Sequence, residues 1–138
     1  MPSVSSRGAS LPRISVVIPS LNQGAFLEAA LDSLLQQDYP QLEIIVVDGG
    51  SRDSSPAIIE RYASSLSWWR SAPDKGQSQA INEGFTHASG EICGWLCADD
   101  LMAPRALQAL AAAFSDSGAD LITGRTQVVS ERGTRIPW

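Results

Sequence analysis

The sequence predicts an α/β domain, a mostly parallel sheet with helices on both faces, left incomplete at the C-terminus. Three observations predict it. Short β-branched runs alternate with segments whose apolar residues recur at helical spacing, as strands joined by right-handed crossovers would. Three strand-like runs end in distinctive residues: Pro19-Ser20-Leu21-Asn22, Asp48-Gly49-Gly50-Ser51 and Asp99-Asp100. Parallel sheets bind ligands outside the carboxyl ends of their strands, so these three should converge on one rim. Finally, 138 residues with a 43% apolar fraction suit a single soluble domain with one real core.

Taken in order, residues 1–13 hold Ser, Gly and Pro without an apolar run. They are expected to be a disordered tail with no secretory signal, ahead of a domain over 14–138. Residues 14–18 read as a buried strand stopped by Pro19. Asn22 is placed to cap a helix in which Leu27, Ala30, Leu31 and Leu34 recur at i, i+3, i+4 and i+7. That helix should reach Gln37, and Tyr39-Pro40 ends it. A second strand over 42–47 closes on Asp48-Gly49-Gly50-Ser51, where glycine permits a sharp turn.

Ser55 with Pro56 is a helix start, and Ile58, Ile59 and Tyr62 supply its apolar face. A short strand over 67–71 and a turn at Asp74-Lys75-Gly76 precede a helix carrying Ala80, Ile81, Gly84, Phe85 and Ala88. A fourth strand over 91–96 ends at Ala98-Asp99-Asp100. Pro104 should open a helix with Leu107, Leu110, Ala111 and Phe114 on one face. Two further strands are expected over 121–124 and 127–129.

Composition narrows the function. Ten Lys plus Arg stand against fifteen Asp plus Glu, a formal charge of −5. A chain of that sign gains nothing from counterion release, which disfavours a nucleic-acid partner and a polybasic membrane contact. No run approaches the ~18 apolar residues of a membrane span. Cys93 and Cys97 fall in one predicted strand, roughly 13 Å apart at about 3.3 Å per residue, too far to bond. Both are expected to be reduced packing residues, which suits a cytoplasmic protein.

The candidate chemistry lies at the strand ends. Adjacent carboxylates such as Asp99 and Asp100 repel unless a cation joins them. A hard divalent ion takes oxygen ligands and completes its shell with substrate phosphates. The competing reading is that they cap the following helix. Asp48 can accept hydrogen bonds from a ribose or a base, or simply shape its turn. Lys75 can meet a diphosphate with Gly76 allowing close approach, or be a solvated loop lysine. His87 reads as a surface residue, and Trp68, Trp69 and Trp95 as packing, with Trp95 a possible ligand neighbour beside the Asp pair. Gly-x-Gly-x-x-Gly and Walker-type phosphate loops, a Gly-x-Ser-x-Gly elbow and zinc-ligand spacings are all missing.

Together these motifs resemble glycosyltransferase family 2. The resemblance is carried by Ile14-Ser-Val-Val-Ile-Pro-Ser-Leu-Asn22, Leu34-Leu-Gln-Gln-Asp-Tyr-Pro40 and Glu43-Ile-Ile-Val-Val-Asp-Gly-Gly-Ser-Arg-Asp53. Pro73-Asp-Lys-Gly-Gln-Ser-Gln-Ala-Ile-Asn-Glu-Gly-Phe85 and Ala88-Ser-Gly-Glu-Ile-Cys-Gly-Trp-Leu-Cys-Ala-Asp-Asp-Leu101 continue it in register. The resemblance implies a GT-A fold with its Rossmann-like nucleotide-binding half first. It implies a nucleotide-diphospho-sugar donor, UDP-sugar foremost, and an acceptor hydroxyl. Pro19, Ser20 and Asn22 would line the nucleoside pocket, Asp48 would bind the nucleotide, and Lys75 and Gln77 would lie beside the donor. Asp99 and Asp100 would hold Mn2+ or Mg2+ and, through it, the diphosphate. The sequence departs from the family at two points. Cys97 stands where the motif Asp-x-Asp-Asp begins with an acid, and thiols are poor ligands for these ions. The family's catalytic base lies downstream in the acceptor half, so the base is expected beyond Trp138. The resulting expectation is an inverting hexosyltransferase part that binds donor and transfers nothing alone, with an apolar face toward the missing half. A non-catalytic nucleotide-binding module is the alternative. A nucleotidyltransferase is disfavoured because Pro19-Ser-Leu-Asn-Gln-Gly24 has no basic residue.

Overall fold

The structure, a computed structural model, describes residues 10–137. The elements run β1 (Ile14–Ser20), α1 (Gly24–Leu35), β2 (Leu42–Asp48), α2 (Ser55–Tyr62), β3 (Trp68–Ser71), α3 (Gln77–Thr86), β4 (Ile92–Trp95) and α4 (Ala106–Ser117). All four strands are parallel, in the order β3-β2-β1-β4. Their carboxyl ends therefore share one rim, as the sequence leads one to expect.

The inner strand β1 is buried along its whole length. Strands turn alternate residues to opposite faces, so Ile14, Val16 and Ile18 join one core and Val17 the other. The first core takes Leu27, Ala30, Leu31 and Leu34 of α1, with Ile58 and Ile59 of α2 and Leu107 of α4. This is the periodic stripe seen in the sequence, and each fully buried Leu or Ile contributes about 1.5–3 kcal/mol. On the other face α3 lies against Val17, Ile45 and Val47 through Ala80. Helices thus cover both faces.

The structure corrects several local expectations. β1 runs through Pro19 to Ser20. The Val17 carbonyl accepts from Leu96 N–H on the β4 side, and Pro19, two residues on, faces the same way. Pairing with β4 ends at Val17↔Trp95, so the missing proline N–H forfeits no ladder bond. Asn22 does not cap α1: it is left-handed at φ 52, and Gln23 is the cap residue. α4 begins at Ala106 and not at Pro104, because Arg105 is held left-handed at φ 59.

Residues 121–124 and 127–129 form no strands. They leave a single antiparallel bridge, Val129↔Arg135, with Leu121 79% exposed. A strand needs an edge to pair with, and these segments reach neither edge of the sheet. Cys93 is exposed, not packed, because α3 covers β1 and β2 and leaves that face of β4 open. Residues 1–9 of the expected tail lie outside the described residues. Pro12 and Arg13 are tied down, by Tyr39 Oη–H at 2.6 Å and by Ile92 N–H. Among the described residues no helix is long and apolar enough to cross a membrane.

The close approach of α3 to β1 at Gly84 makes a test. A Cβ on Gly84 would sit 2.4 Å from Val17 Cγ1. Alanine outranks glycine in a helix by about 1 kcal/mol, but overpacking a core costs about 1–3 kcal/mol. Gly84→Ala should therefore lower the unfolding free energy by about 1 kcal/mol in urea titration. A raised midpoint would mean that α3 can lift off the sheet freely.

Candidate functional site

The strand order reverses direction at β1, with β2 and β3 on one side and β4 on the other. In open α/β sheets the crevice outside such a switch point is where ligands bind. Ser20 to Asn22 and Leu96 to Asp100 flank it.

The β4 side carries free acids. Past the strand the in–out alternation continues: Leu96 and Ala98 are buried in the larger core. Asp99 and Asp100 are exposed, and Cys97 is half-buried. One ligand atom from each of the three lies within 4.8 Å of the others. Since α4 starts only at Ala106, these acids do not cap it, which removes the competing reading of the pair. Burial pushes the Cys97 thiol above its ordinary range; Asp100 and Asp99 push the same way, and a hydrogen bond from Gln77 opposes them. A neutral thiol leaves the carboxylates as the hard oxygen donors, the set that Mn2+ or Mg2+ takes.

The β2 side is built differently. Asp48 is fully buried, and its carboxylate accepts from Ser51 N–H, Gly50 N–H and the hydroxyls of Ser51 and Ser71. Oδ2 accepts three of these bonds and Oδ1 only that of the Ser51 hydroxyl. Of the roughly four acceptor positions of a carboxylate, one on Oδ1 is left for a further donor. Gly50 is left-handed at φ 87, which lets the turn fold back toward Pro73. Asp74 lies against Gly49 so tightly that a Cβ there would meet its carboxylate at 3.0 Å.

Other cross-links join the rim loops. Asn22 Oδ1 accepts from Arg52 N–H, and Asn22 N–H donates to Ser51 Oγ. Asp53 accepts from Gly24 N–H at the start of α1 and from Ser55 N–H at the start of α2. The Ser20 hydroxyl is buried at the strand end without a partner among the described residues. Pro19 is buried beside it. From the far side Gln77 donates to Cys97 Sγ at 3.3 Å, which brings the start of α3 to the acid cluster. Lys75 is exposed on the connecting loop and belongs to neither ion pair of the described residues.

Trp95 is 58% exposed, while His87 is exposed and stacks on Trp68 with centroids 3.6 Å apart. Sequence reasoning missed Asp53, Ser51 and Ser71. Each acts on a partner brought near only by folding, such as Gly24, 29 residues from Asp53.

Comparison with known proteins places this architecture. The family model described as Glycosyl transferase family 2 matches residues 15–138. An uncharacterized glycosyltransferase of Nostoc sp. is 33% identical over 141 residues, covering 91% of this chain and 42% of the relative. A mannosyltransferase from Pyrobaculum calidifontis, solved with GDP-Man and Mn2+, superposes with TM-score 0.68 at 33% identity over 79% of this chain and 34% of its own. S. aureus TarS 1-349 with UDP-GlcNAc gives TM-score 0.71 at 27% identity, over 78% and 32%. The chain thus spans less than half the length of each of these three.

The four bonds to this carboxylate yield a stability test. Asp48→Ala removes the acceptor of two backbone N–H groups and two serine hydroxyls, leaving buried polar groups unpaired at about 1–3 kcal/mol each. Unfolding free energy should fall by about 2–4 kcal/mol in denaturant titration. A loss below about 0.5 kcal/mol would show that the turn does not depend on this residue.

Proposed function

The chain belongs to glycosyltransferase family 2, and from that premise we propose that residues 14–138 are the donor-binding part of an inverting transferase. Its donor is a nucleotide-diphospho-sugar, with UDP-sugar the first candidate, and its acceptor a hydroxyl. The observation that carries the reading is the contrast between acids at the rim. Asp48 and Asp53 are occupied by internal hydrogen bonds, whereas Asp99 and Asp100 stand exposed at the switch-point crevice. Mn2+ or Mg2+ held by Asp99, with Asp100, would neutralise charge on the departing diphosphate. The named nucleotide-sugar complexes of the neighbours, one with Mn2+, support this choice of donor and ion.

In this reading Pro19, Ser20 and Asn22 wall the nucleoside pocket. The unpartnered Ser20 hydroxyl offers a hydrogen bond there. Asp48 acts by shaping the Gly49–Ser51 turn, and a base or ribose donor takes the remaining acceptor position of its Oδ1. Lys75 swings from its loop to the diphosphate, and Gln77 steadies the acid loop. The acceptor's proton needs a base within hydrogen-bond reach. The acids after Asp100 are Asp116, Asp120 and Glu131, all exposed, and none follows a strand at the rim. The base therefore belongs to sequence outside this chain.

Calorimetry tests the metal role. UDP or GDP should bind at least tenfold tighter with Mn2+ than in EDTA, and Asp99→Asn should remove most of that difference. Equal affinity with and without metal in folded protein would sink the assignment. Turnover tests the division of labour. With a panel of nucleotide sugars and acceptors, this chain should transfer nothing while retaining nucleotide affinity. Metal-dependent transfer by the 138 residues alone would demand a base among them. A non-catalytic binding module is the second reading, favoured by the lack of a rim acid after Asp100 among the described residues. Failure of a longer product of the same gene to transfer would select it.

A further inference from the structure

The acids at the crevice do nothing to fix their own position. Asp99 and Asp100 are exposed, and neither carboxylate has a hydrogen-bond partner among the described residues. They sit in the stretch 96–105, which has no regular secondary structure. Its upstream end is pinned where Leu96 N–H donates to Val17 O at 2.9 Å. What pins the downstream end is a pair of polar side chains on α1.

Ser33 and Gln37 are spaced i, i+4, which puts them on one side of α1 and its continuation. Ser33 Oγ accepts from Met102 N–H at 3.0 Å while donating to Ala30 O at 2.7 Å. Gln37 is 3% exposed. Its Nε2 donates to Ala103 O at 2.8 Å and to Ser33 O at 3.1 Å. Its Oε1 accepts from Leu107 N–H at 3.1 Å, satisfying an otherwise orphaned donor in the first turn of α4. Three backbone points are thus held from one helix, the first only two residues past Asp100. A buried glutamine among apolar side chains costs free energy unless its amide is fully bonded. Gln37 is bonded at both ends, and both ends serve this connection.

We propose that Ser33 and Gln37 are positioning residues for the Asp99–Asp100 site. They act through the backbone of 102–107 and touch neither metal nor nucleotide. The inference rests on the metal reading above and deepens it. By clamping the downstream end of the loop while β1 holds the upstream end, α1 limits the directions in which the two carboxylates can point. Outer-shell partners that orient metal ligands commonly govern affinity by about 10–100-fold.

The experiment is calorimetric titration of UDP into the full chain, with Mn2+ and with EDTA, for wild type, Gln37→Leu and Ser33→Ala. The readout is the ratio of the two affinities. Gln37→Leu should reduce that ratio by about tenfold and leave the EDTA affinity within twofold. Ser33→Ala, which keeps a strong helix former in α1, should act in the same direction to a smaller extent. It also serves if the leucine variant does not fold. Tyr39→Phe controls for general destabilisation, since it removes the bond to Pro12 O away from the rim. A merely structural role predicts equal losses with and without metal, or an equal drop in the ratio for Tyr39→Phe, and either result overturns the proposal. A wild-type ratio of one overturns the metal reading and this inference together. A large wild-type ratio that survives in both variants overturns this inference alone.

Discussion

The parallel pairing of β1 with β2, from Ile14↔Leu42 to Ser20↔Asp48, is the constraint on which the rest of the molecule depends. It ends both strands level, so the Ser20 carbonyl can accept from Gly49 N–H just past the strand end at 2.8 Å. A one-residue slip would turn every side chain of β1 to the opposite face and bring Ser15 into the larger core. The alternation of Ile14, Val16 and Ile18 against Ser15 and Val17 prevents it. Because β4 joins the other edge of β1, the crevice opens where this register ends.

At that rim, carboxylates divide into two kinds by the company they keep. Asp48 and Asp53 are spent on backbone N–H groups and serine hydroxyls. Such bonds are worth about 1.5–3 kcal/mol each when the acceptor is charged, and they hold loops that have no regular structure. Asp99 and Asp100 have no donor among the described residues, and both are exposed. Helix α1 links the two, receiving Asp53 at its first residue and reaching the acid loop through Ser33 and Gln37.

The face of β4 turned away from the larger core is uncovered among the described residues. Trp95 and Cys93 lie exposed on the face opposite Leu96. An exposed edge strand presents unpaired backbone groups, which soluble domains usually cover or pair.

What the sequence determined by itself was the layering and the location of the site. Helical and β periodicities report burial on one face or two, and burial dominates folding, so the strands, the α1 stripe and the shared rim were legible. The Asp99–Asp100 pair stands out in the sequence because like charges side by side repel, and the fold leaves both exposed at the rim. Tertiary structure alone decided which acids are free. Asp48 and Asp99 look alike in the chain, each following a strand-like run, yet Ser71 of β3 donates to one and no described residue to the other. It also decided that Asn22 bridges to Ser51 and Arg52, and that 121–129 forms no strand. Each outcome depends on a partner distant in sequence, or on the lack of one, and local periodicity carries no information about either.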